Sequence, residues 1–347
     1  MFTDSEKPDK TQSVLLIKLL GQNLFWIVVF LLVLLLLFEA LITSGWIRPI
    51  LPYPSPSANA SFPELDVKFE RLSRLDNVNC LFIGSSMADA GLSPEIFESE
   101  LKATGKSKLT CLNMAISGSM VESSGMIVKS LIKWQSIKLV VIGLSPYDMD
   151  KTYTKTRPIA SFPVFTYNDG QISMEGWLFN HFRLPWYFAS LPRFNNASYQ
   201  TGLTEWDKLI NERGVRVTYD IGKIEKSSQD VILPDFTINP VDLQMLESVL
   251  NNLADKNIEA VVIEMPVHPD VFPYLIEGGE PEYEKVFVQP IQTLLGKTPA
   301  KFLRTQPFVT DIVNDEDWFN KNHLNYLGAK KLTIYLARKI AVEGILQ

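Results

Sequence analysis

Cysteine and histidine are scarce in this chain, which has two and three of them, and positive charge is in slight deficit. Its 347 residues include only two cysteines, Cys80 and Cys111, which excludes a disulfide-framed small fold and a four-cysteine zinc site. The formal net charge is −6 and there is no long lysine or arginine run, so we expect no nucleic-acid partner. No glycine-rich phosphate-binding loop is present. We therefore expect no nucleotide or other cofactor, and no metal.

One long apolar run lies near the N-terminus. Residues 24–38 contain neither a charge nor a helix breaker. A helix over residues 24–42 would be about 28 Å long, close to a hydrocarbon core of about 30 Å. A cleaved signal peptide would have a shorter apolar stretch, of about 7–15 residues, with a small-x-small site close behind it. We therefore predict one transmembrane helix over residues 19–43.

The residues flanking this run predict its orientation. Lys7, Lys10 and Lys18 precede it, whereas Arg48 is the one basic residue in the stretch that follows. The positive-inside rule then predicts that residues 1–18 form a cytoplasmic tail and that the main domain is extracytoplasmic. Residues 44–63 hold five prolines and form a stiff linker in this interpretation. The chain is thus predicted to be a single-pass protein that contacts the lipid bilayer.

After the linker, apolar segments of strand length alternate with helical segments. The predicted strands cover residues 78–84, 108–115, 137–144 and 258–266, and the main predicted helices cover residues 94–103, 121–134, 241–256 and 327–345. This order is typical of an α/β fold with a doubly wound parallel sheet. We predict one such domain over residues 64–347. Its aromatic-rich insertion, at about residues 150–234, is interpreted as a cap over the strand ends.

Small polar residues follow three of the predicted strands. Ser86 follows the first, Gly118 the second and Ser145 the third, while His323 precedes the last helix. Ligands bind at the carboxyl ends of strands in such sheets. A serine on a tight strand-to-helix turn, with a histidine far downstream, is the pair of residues that nucleophilic acyl transfer requires.

These segments resemble, in order, the sequence blocks of SGNH (GDSL-like) hydrolases. Gly84-Ser85-Ser86 is similar to the Gly-Asp-Ser block, Gly118 to the glycine of the second block, and Asn320-Lys321-Asn322-His323 to the terminal Asp-x-x-His block. The resemblance is closest to the membrane-anchored branch linked to cell-surface O-acylation. It implies a flavodoxin-like SGNH hydrolase fold, with Ser86 as nucleophile, His323 as base and Gly118 as an oxyanion donor.

The chain departs from the family pattern at two positions. The third-block asparagine is missing, and Ser145 is the nearest polar replacement as an oxyanion or substrate-binding group. The triad aspartate is replaced by Asn320, whose amide oxygen can orient an imidazole but supplies no charge. Asp317 and Asp148 are the alternatives for the orienting group. His268, just past the fourth strand, is a further candidate for contact with substrate.

The resemblance implies a membrane-anchored serine esterase or O-acyltransferase acting on an acylated cell-envelope glycan or polymer. A membrane acyltransferase is a candidate partner. The alternative is a non-catalytic envelope protein that uses the same fold to bind a glycan or a membrane partner, and the two departures favour it. Asp89 is interpreted as a helix-capping acid. Cys80 and Cys111 are interpreted as buried free thiols.

Overall fold

The N-terminal region forms one long helix. The computed structural model describes residues 10–44, 62–105, 108–152, 159, 162–217 and 232–346. Helix α1 covers Lys10–Thr43, and its segment Gln22–Thr43 is apolar and long enough to cross a membrane. Helix α1 begins inside the predicted tail, and the tail before residue 10 lies outside the described residues. Most of the predicted linker, residues 45–61, also lies outside them.

A five-stranded parallel sheet forms the centre of the main domain. Its strands are β1 (Cys80–Ile83), β2 (Cys111–Asn113), β3 (Leu139–Leu144), β4 (Glu259–Glu264) and β5 (Lys301–Leu303), in the spatial order β2-β1-β3-β4-β5. Strands β1 and β3 are buried along their whole length, as a sheet covered by helices on both faces requires. The predicted doubly wound parallel sheet is therefore confirmed. Strand β5 was not predicted, because it is only three residues long and begins with a lysine.

Helices cover both faces of this sheet. Before the insertion they are α2 (Pro63–Arg74), α3 (Ser86–Gly91), α4 (Pro94–Ala103) and α5 (Val121–Trp134). After the insertion they are α10 (Pro240–Asp255), α11 (Gly279–Tyr283), α12 (Gln289–Leu295), α13 (Val309–Ile312) and α14 (Tyr326–Val342). The predicted helices over residues 94–103 and 121–134 match α4 and α5 at both ends. Amphipathic spacing marks such helices because each buries one face against the sheet.

The insertion packs mainly beside the sheet rather than over its strand ends. It contains α6 (Pro163–Asn168), α7 (Met174–His181), α8 (Leu184–Phe194) and α9 (Ala197–Leu209). Helix α6 contacts α5, α9 contacts α2, and α8 contacts α1. The predicted cap is therefore wrong for these four helices. Residues 211–217 alone, within the described part of the insertion, run along the β2 edge, where the Asn113 N–H donates to the Arg213 carbonyl at 2.9 Å.

The two cysteines face each other across neighbouring strands. Cys80 on β1 pairs in register with Cys111 on β2, and both are buried free thiols. The predicted reduced state is thus confirmed. Burial raises the pKa of the Cys111 thiol well above its usual value, and the neighbouring Cys80 adds to the effect. Both cysteines are therefore buried packing residues.

Candidate active site

The turn after β1 carries Ser86 at the first position of α3. Gly84, between the strand and the helix, has a φ of +147°, a conformation that L side chains rarely adopt. A Cβ at Gly84 would lie 2.5 Å from the Gly143 carbonyl oxygen and 2.8 Å from the Ala88 Cβ. Only glycine therefore allows β1, β3 and α3 to meet this closely. The tight turn places Ser86 at the carboxyl edge of the sheet.

Ser86, His323 and Asn320 form one continuous hydrogen-bonded chain. The His323 Nε2 atom lies 2.8 Å from the Ser86 Oγ, and the His323 Nδ1 atom lies 3.0 Å from the Asn320 Oδ1. The Asn320 Oδ1 also accepts the backbone N–H groups of His323, at 2.8 Å, and Asn322, at 3.1 Å. These two backbone donors fix the amide so that its oxygen, not its nitrogen, faces the ring. The Nδ1 atom must then carry the proton, which leaves the Nε2 lone pair for the Ser86 hydroxyl.

The loop that presents His323 is held at both ends. The Phe319 N–H donates to the His323 carbonyl at 2.9 Å, and the His268 N–H donates to the Lys321 carbonyl at 3.0 Å. Asn325 caps α14, where its Oδ1 accepts the N–H groups at positions 327 and 328. This loop is therefore fixed to the end of β4 on one side and to α14 on the other.

Burial and a nearby cation keep the His323 imidazole neutral. Together they lower its pKa to about 4, with burial as the larger cause and the Arg216 guanidinium as the second. Arg216 lies in the 211–217 segment of the insertion, where its Nη1 donates to the Ser117 Oγ at 3.1 Å and its N–H donates to the Asp89 carbonyl at 3.2 Å. No motif marks Arg216 in the sequence. At neutral pH the ring is in the form that can accept a proton.

The loop after β2 runs beside the Ser86 turn. The Ile116 N–H donates to the Gly84 carbonyl at 2.9 Å, and Gly118 follows with a φ of +67°. The Gly118 N–H donates to no acceptor in the described part of the chain. The Ser86 N–H, first in its helix, has no intrahelical acceptor either. Two backbone donors are thus available on this side of the site.

Asp317 does not contact the His323 ring. Its buried carboxylate accepts the Asn314 N–H at 2.7 Å and the Lys331 ammonium at 2.5 Å. Both contacts stabilise the short 3-10 helix at Asp315–Asp317 and its link to α14. The position next to the ring is occupied by Asn320 instead.

Asp148 and Ser145 bind each other behind the site. The Asp148 Oδ2 accepts the Ser145 N–H and the Ser145 hydroxyl, each at 2.8 Å, and Asp148 also accepts a hydrogen bond from the Ser85 hydroxyl. Burial raises the pKa of Asp148 to about 6 despite these three donors. The Ser145 side chain is fully buried and its hydroxyl binds Asp148, while its expected role as an oxyanion or substrate-binding group stays a prediction. Asp148 likewise orients Ser85, not His323.

His268 lies underneath the loop that carries His323. It is only 2% exposed, its Nδ1 accepts the Asp270 N–H at 3.1 Å, and its ring packs on Trp318 at 5.3 Å. Burial lowers the pKa of this imidazole, and the Lys321 ammonium lowers it further. His268 therefore supports the loop from behind, and the expected substrate contact is not what the structure shows.

Asp89 forms a buried ion pair and does not cap a helix. Its Oδ1 lies 2.5 Å from the Lys68 Nζ, and both side chains are completely buried. The Lys68 ammonium also donates to the Gly214 carbonyl at 2.7 Å, while the Ser117 hydroxyl donates to Asp89 at 3.3 Å. This network joins α2, α3, the loop of Gly118 and the 211–217 segment of the insertion. Sequence reasoning missed it because its members lie far apart along the chain.

Comparisons with known proteins return solved structures alone. No family model and no curated protein match the chain. The similar solved structures include a lipase/acylhydrolase from Enterococcus faecalis, with a TM-score of 0.38, 11% identity and coverage of 78% of this chain and 98% of that chain. The psychrotrophic esterase EstA from Pseudoalteromonas sp. has a TM-score of 0.38 and 14% identity, with coverage of 78% of this chain and 100% of that chain. AlinE4, an SGNH-hydrolase family esterase, has a TM-score of 0.34 and 14% identity, with coverage of 78% of this chain and 98% of that chain. At these TM-scores the similarities assign this chain neither a family nor an activity.

Proposed function

We propose that this chain is a membrane-anchored serine esterase or O-acyltransferase of the SGNH type, with Ser86 as its nucleophile. The observation that carries the proposal is the hydrogen-bonded chain from Ser86 through His323 to Asn320. It holds the imidazole in the one tautomer that can take a proton from the serine hydroxyl.

The reaction would proceed through an acyl-serine intermediate. The Ser86 Oγ attacks the carbonyl carbon of an ester while the His323 Nε2 takes the hydroxyl proton. The N–H groups of Ser86 and Gly118 stabilise the oxyanion. When the intermediate collapses, the alcohol leaves with the proton from His323. A second hydroxyl, from water or a sugar, then loses its proton to His323 and accepts the acyl group. Water as acceptor makes the chain an esterase, and a sugar makes it an acyltransferase.

Asn320 makes this a slow catalyst compared with a complete triad. A neutral amide orients the ring but does not stabilise the imidazolium that forms during attack. In a serine protease the corresponding aspartate-to-asparagine change costs a factor of about 10⁴ in rate. The positive charge of Arg216 opposes imidazolium formation further. We therefore expect low turnover with small esters.

The position of the site relative to α1 supports a polymer substrate. The last residues of α1, Ile42 and Thr43, line a cavity with Leu75 and Trp134, at the edge of the sheet where β1 begins. Ser86 follows the opposite end of β1. The six residues of neighbouring β3 separate these edges by about 20 Å. A site about 20 Å from the edge of the sheet that meets α1 suits an acylated cell-envelope glycan or polymer better than a bilayer lipid. A membrane acyltransferase, bound through α1, is the candidate partner.

An ester-cleavage and transfer assay tests this proposal. The full chain in lipid nanodiscs is incubated with p-nitrophenyl acetate, with and without an amino-sugar oligosaccharide as acceptor. We expect Ser86→Ala to lose at least about 100-fold in rate, because the nucleophile is gone. Ser198→Ala, an exposed serine on α9, is the control and should keep the wild-type rate. Equal rates in the two variants would favour the non-catalytic binding protein instead.

The proposed orientation has its own test. With the N-terminus in the cytoplasm, a protease added outside intact spheroplasts should digest nearly the whole domain beyond residue 43. Protection of the domain until the membrane is lysed would contradict this orientation.

A further inference from the structure

The acidic residue in the apolar helix, Glu39, is bound to the insertion. Its two carboxylate oxygens accept the backbone N–H groups of Arg183, at 2.7 Å, and Leu184, at 2.8 Å. These N–H groups lie at the start of α8, where an anionic group is favourable and the helix itself provides no acceptors. The contact fixes the start of α8 at the level of Glu39 on α1.

An apolar groove continues from this contact along α1. It has a volume of about 360 Å³. Apart from Glu39, its lining residues are apolar, and they include Leu32 and Leu36 on α1 and Phe182 and Phe188 on the insertion. Leu32 precedes Thr43, the end of the apolar segment, by eleven residues, which is about 16 Å along a helix. The groove therefore reaches about half-way into a hydrocarbon core of about 30 Å, if α1 crosses it.

The outer surface of the same part of the insertion is also apolar and exposed. Ile172 is 91% exposed and Phe188 is 60% exposed. Met174, Trp177 and Leu191 are exposed as well. We call residues 172–191, which include α7 and most of α8, the α7–α8 hairpin. Several exposed apolar side chains in one segment are typical of a site of membrane or protein contact; the segment also exposes Glu175 and His181.

Aromatic and cationic side chains lie where the hairpin meets the sheet domain. The Arg183 guanidinium lies over the ring of Trp186, at 4.0 Å, and near that of Trp134, at 5.5 Å. Arginine is favoured at the membrane–water interface, where its guanidinium can reach the headgroups, whereas Trp186 is fully buried and packs within the protein. Arg183 also donates its N–H to Glu39, about one helical turn before Thr43, which is consistent with a membrane surface near the end of α1.

We propose that the α7–α8 hairpin is a second membrane contact, embedded beside α1 in the acyl chains of the leaflet nearer to the domain. The occupant of its apolar surface is bilayer hydrocarbon, because the groove is continuous with α1 at a depth that water does not reach. The proposal rests on α1 crossing the bilayer. In this arrangement the α7–α8 hairpin holds the domain against the membrane. The distance between the domain and the bilayer is then set by the hairpin and not by the linker.

Nitroxide accessibility in nanodiscs tests this inference on the full chain. Single cysteines are introduced by Phe188→Cys, Ile172→Cys, Phe30→Cys and Val342→Cys, and labelled. Cys80 and Cys111 are buried and should not react. Phe30 reports on α1, and Val342, 84% exposed on α14, is an apolar control far from the hairpin. We expect the labels at 188, 172 and 30 to collide with oxygen more than with a water-soluble nickel complex, and the label at 342 to show the reverse.

Three outcomes would overturn the inference, and they are distinguishable. If the label at 30 is in lipid but those at 188 and 172 are accessible to nickel, α1 crosses the bilayer and the hairpin does not enter it. If the hairpin labels are immobile and accessible to neither reagent, a protein covers this surface. If the label at 30 is itself accessible to nickel, the membrane anchor fails and the inference falls with it.

Discussion

The His323 Nε2 lies 2.8 Å from the Ser86 Oγ, although 237 positions separate the two residues in the chain. Gly84 allows the turn that presents the serine, and Asn320 orients the ring that receives its proton. The remaining contacts of the site hold these two elements in place. Each can be tested by a substitution with a matched control.

The orienting group can be identified by a pair of variants. We expect Asn320→Asp to raise kcat/KM by at least about tenfold, because a carboxylate stabilises the imidazolium that forms in the transition state. Asp317→Asn should leave kcat/KM nearly unchanged and lower the melting temperature, because Asp317 binds Asn314 and Lys331 instead of the ring. Steady-state kinetics and thermal unfolding of both variants check this. An Asn320→Asp variant with unchanged kcat/KM, together with an Asp317→Asn variant that has lost its activity, would contradict the assignment of Asn320 as the orienting group.

The pH dependence of activity should report the depressed pKa of His323. Since only the neutral ring accepts a proton, kcat/KM should be constant above about pH 5 and fall as the pH drops through about 4. Arg216→Gln should shift this decrease to higher pH, because it removes a positive charge near the ring. Arg213→Gln, which instead loses contacts to Glu98 and Cys111, should not shift it. A wild-type decrease near pH 6.5 that Arg216→Gln leaves in place would contradict this account.

Substitution of Gly84 should destabilise the protein more than substitution of a glycine that has a positive φ but open space around it. Gly84→Ala brings a Cβ within 2.5 Å of the Gly143 carbonyl, in addition to a positive φ. Gly105→Ala also has a positive φ, of +72°, which is close to the left-handed region that other residues can adopt, and there is nothing within 4 Å of the new Cβ. We expect Gly105→Ala to lower the free energy of unfolding by about 1 kcal/mol and Gly84→Ala by at least about 3 kcal/mol. Urea unfolding measures both, and equal losses would show that the close contact is unimportant.

The buried ion pair should behave as a unit. Lys68→Met alone leaves the Asp89 carboxylate buried without its cation, which typically costs about 3–5 kcal/mol. Asp89→Asn alone should cost a similar amount of free energy of unfolding, because it leaves the Lys68 ammonium buried without its anion. The double variant should lose less than the sum of the two. A double-mutant cycle in urea provides the measurement, and strict additivity would mean that the two charges do not interact.

Most of the fold could be predicted because its strands are buried on both faces. Continuous apolar runs such as that of β3 identify parallel strands directly, and the helices between them have regular amphipathic spacing. Strand β5 could not be predicted, since Lys301 and its two neighbours form no apolar run. The packing of the insertion could not be predicted either. Its contacts with α1, α2 and α5 join segments with no common pattern.

The site was predictable where its residues lie in short local motifs. Ser86 lies at the junction of a turn and a helix, and Asn320 and His323 lie within one short motif in the loop before α14. The sequence left Asp317 and Asp148 open as orienting groups, because only hydrogen-bond geometry shows what each carboxylate contacts. Arg216 had no local signal at all. Its proximity to His323 depends on the path of the insertion.

Covalent labelling of the full chain with a fluorophosphonate tests the proposed nucleophile most directly. An activated serine reacts with this reagent, whereas an ordinary turn serine does not. Peptide mass spectrometry should find one adduct, on Ser86, that is absent from Ser86→Ala and strongly reduced in His323→Gln. No adduct on Ser86, or an adduct that forms equally fast without the imidazole, would contradict the account.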